Sequence, residues 1–146
     1  MAAPTTIHFV CTGNVYRSRL AEAYCASMSV SGIRVISSGI AAGRYDDAPI
    51  SPHAALALAR HGLLSYAAAR WQRTTADLVR SSDVLVFMEA EHHRFCEDWI
   101  DPARQRIEVW GVKDIDGQEP AEIPNEVERT LAIIRRHTDA LIARLD

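Results

Sequence analysis

Cys11 and Arg17 are the two residues in this chain whose types and spacing best suit chemistry on an oxyanion. They open and close a short loop, with Thr12, Gly13, Asn14, Val15 and Tyr16 between them and Ser18 directly after. Backbone N–H groups in a loop of this length can curl around one tetrahedral anion. Gly13 and Asn14 tolerate the positive φ angles that such a curl demands. A helical pattern starting near Ser18 would aim its dipole and free N–H groups at the same spot. Arg17 adds a planar fork able to hold two phosphate oxygens. A cysteine in this electropositive setting is favoured as the thiolate and placed for in-line attack on a phosphoryl group, forming phosphocysteine. The plainer alternative is a core cysteine beside a surface arginine. Cysteine and arginine fall at this spacing often by chance, so the whole context carries the reading: apolar strand, Cys, Gly-Asn, Arg-Ser, helix.

The elements that would position this loop alternate along the chain. Apolar runs at 7–10, 33–36, 84–88 and 107–110 read as strands. Helical patterns read from Ser18 to Met28, with Leu20, Tyr24 and Met28 on one face, and from a Ser51-Pro52 cap to His61, ended by Gly62. A short helix from Thr75 or Asp77, one from Glu89 to Trp99 and a long one from Pro124 to Leu145 complete the set. The last carries a stripe of Val127, Leu131, Ile134 and Leu141. Undiluted apolar strands alternating with helices predict an α/β three-layer sandwich: a four-stranded parallel sheet with helices on both faces. No linker or repeat divides the chain, so residues 1–146 are expected to form one domain. Such sheets bind ligands beyond the C-terminal ends of their strands, where Cys11 lies.

The bulk composition narrows the partners. A net charge of −3 over 146 residues gives no general footprint for nucleic acid or an anionic membrane, so an anion must be held locally. The first ten residues carry neither a basic segment nor a long apolar run. Three widely spaced cysteines, Cys11, Cys25 and Cys96, argue against a disulfide scaffold, and a cytoplasmic monomer is expected. Six histidines raise the question of a metal. His92 and His93 are adjacent and point apart on a helix, while His53 and His61 lie two turns apart, so no metal is expected. These histidines read as solvated or capping, and "EAEHHR" as an exposed helix face. No cofactor is expected.

The loop residues Val10, Cys11, Gly13, Asn14, Arg17, Ser18, Ala21 and Glu22 resemble, in register, the signature of the low-molecular-weight protein tyrosine phosphatases. "VISSG" at 35–39, "RHGL" at 60–63, "DVLVFMEAEHHR" at 83–94 and "VWGVKD" at 109–114 are similar to further stretches of that family. The resemblance implies Cys11 as nucleophile, Arg17 as phosphate clamp and the amides of Thr12, Gly13, Asn14, Val15, Tyr16, Arg17 and Ser18 as the cradle. It further implies that Ser18 serves the Cys11 sulfur, and that Asn14 and Ser37 hold the loop's shape. By register from Trp110 the resemblance implies Asp114 as the general acid, with Asp116 as its competitor. The substrate implied is a phosphorylated small molecule or phosphotyrosine protein.

Several departures bear on the implied activity. Ile115 stands where the family has the proline of Asp-Pro, so the acid loop is expected to be more mobile or differently aimed. Tyr16 replaces a second cysteine, and Arg19 replaces a helix-opening proline, as a charge near the site mouth or a solvated first-turn residue. Ala67 occupies the place of a histidine that braces the loop through Ser37. After the acid, "IDGQEPAE" lacks the aromatic wall for a phenyl ring. Tyr45 or Tyr16 could supply one. Arg44, Asp46 and Asp47 could instead serve the hydroxyls of a sugar or nucleoside phosphate. Val15 disfavours the arginine phosphatase branch of the family. Arsenate reductase is disfavoured because Phe87-Met88 stand where a relay cysteine is needed. A phosphate-binding module without turnover is the remaining alternative.

Overall fold

The computed structural model describes residues 3–44, 48–115 and 119–145. Four strands, β1 (Thr5–Cys11), β2 (Ile33–Gly39), β3 (Val84–Phe87) and β4 (Arg106–Val109), form one parallel sheet in the order β2-β1-β3-β4. Five α-helices accompany them: α1 (Arg17–Ser27), α2 (Pro52–Arg60), α3 (Ala76–Ser81), α4 (Ala90–Cys96) and α5 (Ile123–Leu145). β1 extends past its apolar run at both ends, and β2 extends past its own at the C-terminal end, where Ser37, Ser38 and Gly39 continue the pairing up to Cys11.

Alternation along β1 assigns the layers. Ile7, Phe9 and Cys11 share an apolar cluster with Leu20, Ala54, Leu58, Val127, Leu131, Ile134 and Leu141, which puts α1, α2 and α5 on one face. Val10 joins Val79, Leu85, Phe87 and Cys96 on the other, under α3 and α4. α1 departs from the expected stripe: Arg17 through Ala23 and Cys25 are buried, while Tyr24 and Met28 are only half-buried. The start of this helix is enclosed on all sides. Tyr24 instead reaches α5, where its hydroxyl donates to Asp139 at 2.6 Å.

The local signals for α2 act as expected. Ser51 caps it through Ala54 N–H at 3.5 Å, Pro52 occupies its first turn, and Gly62 leaves it at φ 71°. The β2-β1-β3 order makes the gap between β1 and β3 a topological switch point, so the end of β1 opens into a natural crevice.

His8, on β1, corrects the picture of solvated histidines. It is fully buried, with Nδ1 3.1 Å from Ser82 Oγ and Nε2 2.7 Å from Ser38 Oγ. Ser82 Oγ donates to the Leu78 carbonyl at 2.7 Å, so it accepts from Nδ1–H, and Nε2 then accepts from Ser38. Thr74 completes the chain at 2.6 Å from Ser38. Burial pushes the imidazole down to about 4.

Candidate active site

β1 ends at Cys11, and α1 begins at Arg17, so the intervening loop spans the crevice mouth. Asn14 makes the left-handed turn at φ 56°; Gly13 does not take a positive φ, so the asparagine alone carries that part of the expected curl. Gly39, at the end of β2, permits the loop's close approach. A Cβ there would stand 2.5 Å from the Thr12 carbonyl oxygen and 2.6 Å from the Asn14 nitrogen. Ala41 N–H then donates to that Thr12 carbonyl at 2.8 Å.

A clasp behind the loop fixes its side chains. Asn14 Nδ2 donates to Ser18 Oγ at 2.7 Å and to Ser37 Oγ at 2.9 Å, and its Oδ1 accepts from Gln72 N–H at 2.9 Å. Gln72 Nε2 also donates to the Ser37 carbonyl at 2.9 Å. Gln72 is thus the brace that Ala67 cannot be, a role that sequence reasoning missed. Ser18 Oγ lies 2.9 Å from Cys11 Sγ. Because Ser18 already accepts from Asn14, its own hydrogen is free to point at the sulfur.

Arg17 is buried and anchored on three sides. Nη1 pairs with Glu89 and donates to the Val112 carbonyl at 2.9 Å. Nη2 reaches Thr12 Oγ1 at 3.3 Å and stands 3.7 Å from Asp114 Oδ2. The segment after β4 is held to β3 by Trp110 N–H to the Phe87 carbonyl and Val112 N–H to the Met88 carbonyl, at 2.9 and 2.7 Å. Those two bonds carry Asp114 to the crevice. Asp116 lies outside the described residues, as do Tyr45, Asp46 and Asp47; Arg44 is exposed.

Three side chains behave differently from their sequence reading. Arg19 is no solvated charge: it is fully buried and donates to the carbonyls of Asn14 (3.3 Å), Pro49 (2.7 Å) and Ala68. Its Nε also bonds Glu22 Oε1 at 3.1 Å, which accepts from Ala68 N–H at 3.1 Å. Tyr16 is no aromatic wall, since its ring is buried in the main core with Val127 and Leu131, and burial pushes its phenol up to about 12. His92, placed on an exposed face by its "EAEHHR" context, is fully buried. It completes a capping box with Glu89 at the start of α4, and burial pushes its imidazole down to about 4. Of the two roles expected for the histidines, solvated or capping, His92 takes the second, and its burial is what the exposed-face reading missed. Trp71 is a further aromatic beside the loop after β2, packed where a Cβ on Gly43 would meet its ring at 2.4 Å.

A sulfur, a hydroxyl, an anchored guanidinium and a carboxylate therefore meet at the switch point of a parallel sheet. Fold and site together define the class: a cysteine-dependent phosphatase acting on phosphate monoesters. The family described as low molecular weight phosphotyrosine protein phosphatase matches residues 6–146, and the chain belongs to it. A probable low molecular weight protein-tyrosine-phosphatase, EpsP of Ralstonia solanacearum, is 30% identical over 147 residues, covering 96% of this chain and 95% of that protein. Among solved structures, Wzb of Vibrio vulnificus in complex with benzylphosphonate aligns with a TM-score of 0.78 at 20% identity, covering 96% of this chain and 98% of that one. The YwlE arginine phosphatase from Geobacillus stearothermophilus aligns at 0.75 and 22% identity, over 97% and 95% of the two chains. Among the described residues, no helix is long and apolar enough to cross a membrane, and no group of three or more His, Cys, Asp or Glu could hold a metal ion.

Proposed function

We propose that the chain hydrolyses its ester in two steps through phosphocysteine. Cys11 Sγ attacks phosphorus in line, and the leaving oxygen takes a proton from Asp114. Arg17 and the backbone amides from Thr12 to Ser18 hold the phosphoryl oxygens and meet the charge that develops on them. Asp114 then acts as the base for water that releases phosphate, while Ser18 stabilises the departing sulfur. One observation carries this reading: Cys11 Sγ lies 2.9 Å from the hydroxyl of Ser18, which also accepts from Asn14, beside a buried arginine.

For the substrate we propose a polar phosphate monoester, such as a sugar or nucleoside phosphate. The stretch after Asp114 contains no aromatic, and the burial of Tyr16 withdraws it as a wall for a phenyl ring. Phosphotyrosine in a protein is the second reading, favoured by the likeness to EpsP and by Trp71 beside the loop after β2.

The test measures phosphate released from p-nitrophenyl phosphate, sugar and nucleoside phosphates and phosphotyrosine peptides. Turnover concentrated on the polar esters supports the first reading, and turnover concentrated on the peptides replaces it with the second. Cys11→Ser should abolish release, and acid quenching of the wild type should trap a phosphorylated cysteine. Full activity in Cys11→Ser would end the mechanism altogether.

A further inference from the structure

Thr12 directly follows Cys11 and carries a hydroxyl whose hydrogen-bonding directions are forced by its neighbours. Glu89 donates its backbone N–H to His92 Nδ1 at 3.0 Å, so that nitrogen must present its lone pair. In the neutral ring the hydrogen then sits on Nε2, which lies 2.9 Å from Thr12 Oγ1. Complete burial keeps the ring neutral, with its pKa lowered to about 4. Thr12 Oγ1 therefore accepts from His92, and it also accepts from Arg17 Nη2 at 3.3 Å.

Two donors occupy both lone pairs of the hydroxyl, leaving its hydrogen to seek an acceptor elsewhere. Among the described residues none accepts it. Thr12 is half-buried, at the mouth of the loop; Ala41 N–H pins its carbonyl at 2.8 Å, and turning its side chain away would break the bonds from His92 and Arg17. A bound oxyanion would bring the missing acceptor.

We propose that the Thr12 hydroxyl donates to a phosphoryl oxygen of the bound ester, with His92 as the residue that positions it. The proposal rests on the phosphatase reading and deepens it. The backbone cradle gains a side-chain donor, oriented by a histidine in the first turn of α4. Thr12 touches substrate; His92 acts only through Thr12. Nothing is transferred: the hydroxyl keeps its proton, and the donated bond serves both ground state and phosphorane-like transition state.

The probe is inorganic phosphate, its dissociation constant measured by calorimetry alongside turnover of p-nitrophenyl phosphate. Thr12→Val should weaken phosphate binding about tenfold, the scale of one hydrogen bond to a charged group. Thr12→Ser should restore it to within about twofold, a rescue that a packing role for the methyl group would not give. His92→Phe should weaken binding less than Thr12→Val does. The double variant should bind no more weakly than Thr12→Val alone, because removing the hydroxyl leaves the histidine nothing to orient. Phosphate binding unchanged in Thr12→Val overturns the proposal, as do losses that multiply in the double variant. If His92→Phe does not fold, the comparison of Thr12→Val with Thr12→Ser still decides. A wild type that neither binds phosphate nor turns over the ester overturns the phosphatase reading itself, a failure distinct from an unaffected Thr12→Val.

Discussion

Ile115 donates its backbone N–H to Asp114 Oδ1 at 2.9 Å, a bond that proline at this position could not make. The departure from Asp-Pro therefore exchanges one restraint for another. A ring that fixes φ is gone, and a hydrogen bond that fixes the carboxylate has taken its place. Oδ2, 3.7 Å from Arg17, is left facing the crevice. Ile115→Pro should release that aim and lower kcat about fivefold with KM little changed, the scale of one net hydrogen bond. Asp114→Asn should lower kcat by roughly 10²–10⁴. Steady-state kinetics of both variants check this, and an unimpaired Asp114→Asn would move the acid role to another residue.

Gly39→Ala should silence the site without unfolding the sheet. The added Cβ would meet backbone atoms of Thr12 and Asn14 at 2.5 and 2.6 Å, which no side-chain rotation can relieve. The loop must retreat, and its cradle with it. We expect kcat/KM to fall by roughly 10² or more, since displacements of about an ångström cost that much in an oriented site. Circular dichroism should stay near that of the wild type. A fully active Gly39→Ala would mean that the loop tolerates a wider berth.

Arg19→Met should cost about 3–5 kcal/mol, the usual penalty for stranding one member of a buried ion pair. Glu22 loses its partner, and three carbonyls lose their donor at once. Replacing Glu22 as well, by Leu, should recover part of the loss by removing the stranded charge. Urea unfolding of the three proteins measures both effects. Equal stability of Arg19→Met and wild type would show that water reaches this cluster.

Acid should destabilise the protein earlier than carboxylate titration alone would. His8 and His92 both titrate at about 4 when folded, against an ordinary value of 6.5. The unfolded chain therefore binds more protons than the folded one between these limits. Their contribution is complete above pH 6.5 and is lost as pH falls toward 4. Each is worth at most about 3 kcal/mol. Denaturant midpoints measured from pH 7.5 down to 4 should decline steeply across that window, and a flat profile would contradict the buried neutral state of both rings.

Much of the architecture and the loop were legible because they obey pattern. Four apolar runs became four parallel strands, Ser51 and Gly62 bound α2, Cys11 lies beside Ser18, and Arg17 stands 3.7 Å from Asp114. What escaped shares a physical cause. Reading by polarity sends charges and imidazoles to water, and it has no view of partners supplied by distant backbone. Arg19 finds three carbonyls from three separate loops, His8 finds hydroxyls from two other segments, and His92 finds Thr12 across eighty positions. Gln72 works partly through its backbone N–H, which no side-chain pattern reports.

The clasp on Asn14 also ties activity to the order of folding. It gathers residues 14, 18, 37 and 72, so the anion loop acquires its shape only after β2 and the segment beyond α2 have docked on β1. Contacts so far apart in the chain close late, after local helices have formed. During refolding, recovery of phosphate binding should trail the return of helical signal and coincide with the final gain of tertiary structure. An oxyanion held there stabilises distant parts of the chain together, and its presence should raise the melting temperature of the whole protein.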